Sequence, residues 1–245
     1  MGKTTTAINL GAAINNFGGD VTIVDGNLTT PNIGLHLNSP EVPINLNQVL
    51  IEKAELFEAV YEHQSGMKIV PASLSLTELK NIKPEKLKDL KKDLKKISEY
   101  VIVDSSAGLG KEALSAIEIA DEVIIVTNPE ITAVTDALKT IKVAQGLGKL
   151  VRGVIVTRVR KDEIEMQPEA VKDMLEAQIM GMIPEDIAIK QALSMRDAVI
   201  HTHPKSKSSR AYKEIAAKIL GVEYDSDKDK ERLFIRVLKS LGLRN

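Results

Sequence analysis

The chain contains no cysteine. A disulfide framework, thiolate zinc sites and iron–sulfur ligation are therefore excluded together, and the cytoplasm is the expected compartment. A net charge of one sign is missing too: 33 Lys plus Arg almost cancel 34 Asp plus Glu, so any attraction to nucleic acid or to an acidic membrane must be local. No run approaches the roughly 20 apolar residues of a spanning helix, and the first residues are not a basic-then-apolar signal peptide. The expectation is a protein neither exported nor integral to a membrane. What is present is 245 residues, 43% of them hydrophobic, enough to bury the core of one large α/β domain.

Apolar runs of strand length occur at Val21–Val24, Lys68–Pro71, Tyr100–Val103, Glu122–Thr127, Arg152–Thr157 and Gln178–Ile183. They are rich in Val and Ile and nearly continuous, the pattern of strands buried on both faces. Between them lie helix-period segments: Thr5–Phe17, stopped by Gly18-Gly19, then Lys86–Ser98, Lys111–Ala120, Thr132–Gly146, Pro168–Ala177, Ile187–Met195 and Ser208–Leu220. This alternation predicts an α/β fold, a mostly parallel sheet with helices on both faces and ligands at the carboxyl ends of its strands. Residues 1–220 read as that domain, Gly221–Asp229 (GVEYDSDKD) as a polar linker, and 230–245 as a separate C-terminal helix.

The chemistry-bearing motifs begin at the first residues. Met1–Thr6 read M-G-K-T-T-T and open directly into a helix. In such a G-K-T order, Gly2 lets the backbone approach phosphate, Lys3 supplies a point charge to the β and γ oxygens, the Thr4 hydroxyl ligates Mg²⁺, and the helix N-terminus adds partial positive charge. The triplet alone is weak evidence. It gains weight because strand Val21–Val24 ends in Asp25 and strand Val101–Val103 ends in Asp104, followed by Ser-Ser-Ala-Gly. A strand-end carboxylate beside a glycine turn is how phosphate-loop proteins hold Mg²⁺ through water and turn backbone N–H groups toward a γ-phosphate.

The segments G-K-T-T-T-A-I-N-L-G, V-T-I-V-D-G-N-L-T-T-P-N-I-G-L-H-L, V-I-V-D-S-S-A-G-L, V-T-N-P-E and I-P-E-D together resemble the MinD/ParA ATPases, MinD-like proteins of archaea among them, from Gly2 to about Leu220. The resemblance implies a switch that binds ATP and Mg²⁺, dimerises around ATP, and positions a protein partner such as division or polar machinery. It implies Lys3 at the β and γ phosphates, Thr4 on Mg²⁺, Thr5 on the α-phosphate side, and Asp25 and Asp104 on the metal's waters. Ala107-Gly108 would be a γ-sensing turn, and Thr157-Arg158 with Pro184-Glu185-Asp186 would border the adenine. The iron–sulfur and nitrogenase-like branches of the superfamily are excluded by the missing cysteine. The tyrosine kinases of this fold are disfavoured by only four tyrosines in the chain.

Two departures stand beside the matches. The family's loop reads K-G-G-x-G-K-T after a central strand, and here that strand, the lysine and both glycines do not precede Gly2. A parallel sheet without a central strand would leave unpaired backbone groups on two neighbours, at roughly 1–3 kcal/mol each when buried. The expectation is that the reading frame continues upstream of Met1 into an apolar strand and a lysine- and glycine-rich loop. Second, the family's D-x-D is D-G-N here, which puts Asn27 where a carboxylate would orient or deprotonate the attacking water. An amide can orient water but cannot take its proton, and a general base contributes typically 10²–10⁴-fold, so slow hydrolysis is expected unless Asn27 only stabilises its turn.

Residues 228–245 hold six basic residues against Asp229 and Glu231, a local net charge of +4. On a helix, Leu233, Phe234, Val237, Leu238 and Leu241 fall within an arc of about 140°, opposite Arg232, Arg236 and Lys239. This predicts an interfacial helix on an anionic membrane, hence a peripheral location at the inner face of the cell membrane, and resembles the membrane-targeting helix of MinD proteins. A lysine-dense helix at Lys86–Lys96 reads as a solvated face, which leaves a ParA-like DNA surface the weaker alternative. His201 and His203 form a His-x-His pair with no evident third ligand and read as a loop without metal.

Overall fold

The computed structural model describes residues 2–39, 42–79, 82–160, 162 and 164–225. Most of the linker and the whole C-terminal helix expected from the sequence, with Leu233, Phe234, Val237, Leu238 and Leu241, lie outside the described residues.

The chain alternates helices and strands. In order it forms α1 (Lys3–Asn16), β1 (Val21–Asp25), α2 (Ile33–His36), α3 (Leu46–Leu50), β2 (Tyr61–Glu62), β3 (Lys68–Val70), α4 (Leu76–Leu79), α5 (Lys91–Ile97), β4 (Tyr100–Asp104) and α6 (Lys111–Ile119). There follow β5 (Glu122–Thr127), α7 (Ile131–Gly146), β6 (Leu150–Val159), α8 (Pro168–Leu175), β7 (Ile179–Pro184), α9 (Ile187–Ser194), α10 (Val199–Thr202) and α11 (Lys207–Leu220). All six Val/Ile runs became strands. The segment read as one helix from Lys86 to Ser98 instead winds as a 3₁₀ helix at Pro84–Leu90 before α5. Leu87 and Leu90 stand three residues apart, and 3₁₀ winding stacks i and i+3 on one side, where Leu87 is buried and Leu90 packs beside it.

The strands pair as two sheets, β2-β3-β1-β4 and β5-β6-β7, parallel throughout except for the antiparallel β2–β3 pair. Helices cover both faces. On one face of β1, Val21 and Ile23 pack under α1 in a cluster that also takes Ile155 of β6, Met180 of β7 and Ile215 of α11, so this layer of helices spans both sheets. On the other face Val24 packs with Leu46, Leu50, Leu87 and Leu94, and the second sheet has its own cover, Ile125, Val154 and Val156 against Val134 and Ile141 of α7. Fully burying one such aliphatic side chain contributes about 1.5–3 kcal/mol, which is why β1 is buried along its whole length.

β4 and β5, each terminal in its own sheet, face one another across a cavity of about 440 Å³ roofed by Ala7, Leu10 and Ile14 of α1. Edge backbone of both strands lines it, Tyr100 to Asp104 on one side and Glu122 to Ile124 on the other. The parallel order is thus interrupted at the place where one more strand would join the two sheets.

Candidate functional site

α1 opens the site. Gly2, its N-cap, has φ 81° and ψ 28°, a left-handed conformation that costs a residue bearing Cβ about 1–2 kcal/mol. A Cβ there would meet Thr157 Oγ1 at an ordinary 3.6 Å, so backbone conformation rather than space selects glycine. The turn puts Lys3, Thr4 and Thr5 in the first helical turn, which contains no acidic residue. N–H groups of a first turn have no partner within the helix, and with the positive end of the helix dipole they suit an anion. Burial draws the Lys3 ammonium below the usual lysine range, and the neighbouring Asp104 opposes that fall.

The strands deliver the carboxylates. Parallel register pairs Asp25 with Asp104 at the carboxyl ends of β1 and β4. Thr4 Oγ1 donates to Asp104 Oδ2 at 2.6 Å, tying the first turn of α1 to the end of β4. Asp25 accepts three backbone N–H groups, from Asn32 and Ile33 at 3.0 Å each to Oδ2 and from Asn27 at 3.3 Å to Oδ1. Burial pushes Asp25 up to about 7, against the pull of those N–H donors and with a further push from Asp104. Asp104 is pushed up to about 6 by burial, and the Thr4 hydroxyl and Lys3 hold it from rising further. Two carboxylates side by side, both short of compensating positive charge, form an oxygen donor set suited to a hard divalent cation such as Mg²⁺. Gly26 permits the approach: a Cβ there would stand 2.7 Å from the Asp104 carbonyl oxygen.

Asn27 is committed within its own turn. Its Nδ2 donates to the Thr30 carbonyl at 2.6 Å, and its Oδ1 accepts from Thr30 Oγ1 at 3.1 Å. That turn holds the following backbone so that Asn32 and Ile33 face Asp25. The Thr29 hydroxyl meets the Glu112 carboxylate of α6, which ties the turn to the segment after β4. Ala107 and Gly108 lie exposed in that segment, Gly108 with φ 78°.

Thr157, beside Gly2, donates at 3.2 Å to both the Thr127 carbonyl and Asn128 Oδ1. Arg158 is exposed with φ 57°, Val159 is in register with Pro184, and the Glu185 N–H donates to the Val159 carbonyl at 2.9 Å. Gly2, Lys3, Thr4, Asp25 and Asp104 therefore come together. None of the contacts among them reaches Gly108, Arg158, Pro184 or Glu185: Arg158 and Pro184 are among the last residues of β6 and β7, Glu185 directly follows β7, and Gly108 lies between β4 and α6. Sequence reasoning missed Asn128, quoted in V-T-N-P-E without a role, and Asn9. Asn9 is buried in α1, donating to the Thr5 carbonyl at 2.8 Å and accepting the Val199 N–H at 2.7 Å. A polar residue amid Ala7, Ile8 and Leu10 was its only signal.

A glycine-opened helix whose free N-terminus suits an anion, with a hydroxyl and two strand-end carboxylates beside it on a largely parallel α/β fold, defines a phosphate-loop nucleotide-binding domain. Comparison with known proteins narrows the class. The family described as "AAA domain" matches residues 1–151, and that described as "4Fe-4S iron sulfur cluster binding proteins, NifH/frxC family" matches residues 101–230, although this chain has no cysteine to ligate a cluster. An uncharacterized ATP-binding protein of Methanocaldococcus jannaschii is 37% identical over 98% of this chain and 92% of its own length. The septum site-determining protein MinD of Synechocystis is 28% identical over 90% of this chain and 85% of its own. The solved structure of MinD complexed with Mg-ADP from Pyrococcus horikoshii superposes with a TM-score of 0.86 at 33% identity, covering 89% of this chain and 90% of that one. The chain belongs to the MinD/ParA-like family of P-loop ATPases.

Proposed function

We propose that the protein is an ATP-dependent positioning switch of the MinD type: it binds ATP with Mg²⁺, pairs with a second copy around the nucleotide, hydrolyses slowly, and docks on anionic membrane through its C-terminal residues. The observation that carries the reading is the Thr4–Asp104 hydrogen bond at 2.6 Å, with Asp25 in register beside it and Lys3 on the same helical turn. Thr4, Asp25 and Asp104 would hold the Mg²⁺, which when bound supplies positive charge for the phosphate oxygens. Lys3 and the first-turn N–H groups would bind the phosphates. Thr157, Arg158, Pro184 and Glu185 would border the base, and Gly108 would sense the γ-phosphate from its exposed turn. Among the described residues no helix is long and apolar enough to cross a membrane, so the membrane part of the reading rests on the sequence of residues 230–245.

The cavity between β4 and β5 supports one further element of the reading. An apolar strand laid there and running into a lysine- and glycine-rich loop before Gly2 would pair both open edges and complete the phosphate cradle. A chain carrying such an extension should bind Mg·ATP more tightly than the 245-residue chain.

The test uses vesicles containing anionic lipid. Protein with Mg·ATP should sediment with them, be released by excess ADP, and lose binding on deletion after Asp227 or with Leu238→Glu, which puts a carboxylate into the apolar arc. Binding to duplex DNA in ATP, with steep loss in salt and indifference to Leu238→Glu, would replace the membrane reading with DNA segregation. The commitment of Asn27 to Thr30 favours a second reading, a nucleotide-binding scaffold without turnover, which single-turnover release of phosphate from ATP would eliminate.

A further inference from the structure

Away from the phosphate site, three side chains from two distant stretches of chain converge. His63 lies in the turn between β2 and β3, while Asp197 lies just before α10 and His201 within it. His201 Nδ1 is 2.7 Å from Asp197 Oδ1, and His63 Nε2 stands 3.7 Å from the same oxygen, beyond hydrogen-bond length. The two imidazoles stack with centroids 5.6 Å apart and planes 14° from parallel. One ligand atom from each of the three residues can be chosen so that all lie within 4.8 Å of one another. The side chains are largely withdrawn from solvent, at 8% exposure for His63, 13% for Asp197 and 20% for His201. His203, the other half of the His-x-His pair, turns away to the Thr202 hydroxyl at 3.0 Å; His201 sits within α10, whereas His203 is the residue just past its end.

We propose that His63, Asp197 and His201 form a binding site for a first-row divalent cation, zinc being the ion the donors fit. Two imidazole nitrogens and one carboxylate oxygen are a donor set zinc commonly takes, with a fourth position left for water. Metal–ligand lengths of about 2.0–2.2 Å require donors roughly 3–4 Å apart; the 3.7 Å separation already lies in that range, and the 2.7 Å pair would open by a few tenths of an ångström on exchanging its hydrogen bond for metal. The surroundings orient the ligands. Ser65 Oγ lies 2.9 Å from His63 Nδ1, which also accepts the Ser65 N–H at 3.3 Å; with metal on Nε2 the ring proton moves to Nδ1, which gives up that long N–H contact and donates to Ser65 Oγ, while the Ala198 N–H steadies Asp197 Oδ1 at 2.6 Å. At His201 the ion takes the Nδ1 lone pair, and the ring proton moves to Nε2. Bound zinc would fasten the β2–β3 turn to α10, whose Val199 N–H is already held by Asn9 of the phosphate helix.

The experiment uses the full chain, stripped of metal and free of nucleotide. Co²⁺ should bind at one equivalent per chain and develop visible d–d bands that Zn²⁺ abolishes. A hundredfold excess of Zn²⁺ over its Kd should raise the melting temperature by roughly 5–10 °C. His63→Gln and His201→Gln should lose the bands and most of the shift, whereas His203→Ala should keep both. Absence of bands and shift in the unaltered chain overturns the proposal without recourse to any variant. So does their persistence in both Gln variants, or their loss in His203→Ala.

Discussion

Replacing Asp104 by Asn should make the nucleotide-free protein more stable at alkaline pH and leave it unchanged at acid pH. Asp104 is 3% exposed, and burial pushes it from 3.8 to about 6, with Thr4 and Lys3 as its compensation. A folded-state value above the unfolded one means that the native protein holds the proton more tightly. Its contribution is fully present below about pH 4 and is lost as pH rises through 6, and the same holds for Asp25 through about 7. A rise of about two units corresponds to about 3 kcal/mol of native-state cost once Asp104 is ionised. Asn keeps the shape and can still accept the Thr4 hydroxyl, but it loses the attraction to Lys3, so a net gain of about 1–3 kcal/mol at pH 8 is expected. For a chain of this size that is about 2–10 °C in melting temperature. Mg·ATP should reverse the order, since a bound divalent cation favours the ionised carboxylates and the variant offers one fewer. The assay is thermal unfolding of both proteins from pH 4 to 8, with and without Mg·ATP. A difference that is flat with pH, or an Asn variant less stable at pH 8 without magnesium, would refute the argument that desolvation dominates this pair.

Asn27→Asp should raise single-site turnover by about tenfold or more by supplying a base, while the lost Nδ2 bond to the Thr30 carbonyl lowers stability by roughly 1–2 kcal/mol. Phosphate release and urea unfolding measure the two effects, and an unchanged rate with lowered stability would mean that Asn27 serves only its turn. Gly26→Ala should cost more than 1 kcal/mol and weaken nucleotide binding, because its Cβ would press 2.7 Å from the Asp104 carbonyl and push β1 and β4 apart where their carboxylates pair. Calorimetric titration with Mg·ATP checks the binding, and affinity equal to that of the unaltered chain would show that the ends of these strands give way without loss.

Much of the fold could be read from local pattern. The Val/Ile-rich runs closed by Asp25 and Asp104 became β1 and β4 because a strand covered on both faces needs a largely apolar run, and the carboxylate that ends each run marks the strand's carboxyl end, where the two acids remain buried side by side. Gly2, Lys3 and Thr4 were equally legible, since a left-handed glycine followed by a helical turn is specified by adjacent residues. The 3₁₀ winding at Pro84–Leu90 was not, because a spacing of three suits either winding until Leu87 finds its place against β1 and β3. Pairing between distant segments decided the rest. Only the tertiary structure set Asp25 against Asp104 in register, turned the Asn27 amide into its own loop, opened β4 and β5 toward one another beneath α1, and carried His63 to Asp197 and His201. Each of these is a contact whose partners lie far apart in sequence or have several partners within reach. A local pattern specifies which face of an element is apolar, and the choice of what meets that face falls to the packing of the whole chain.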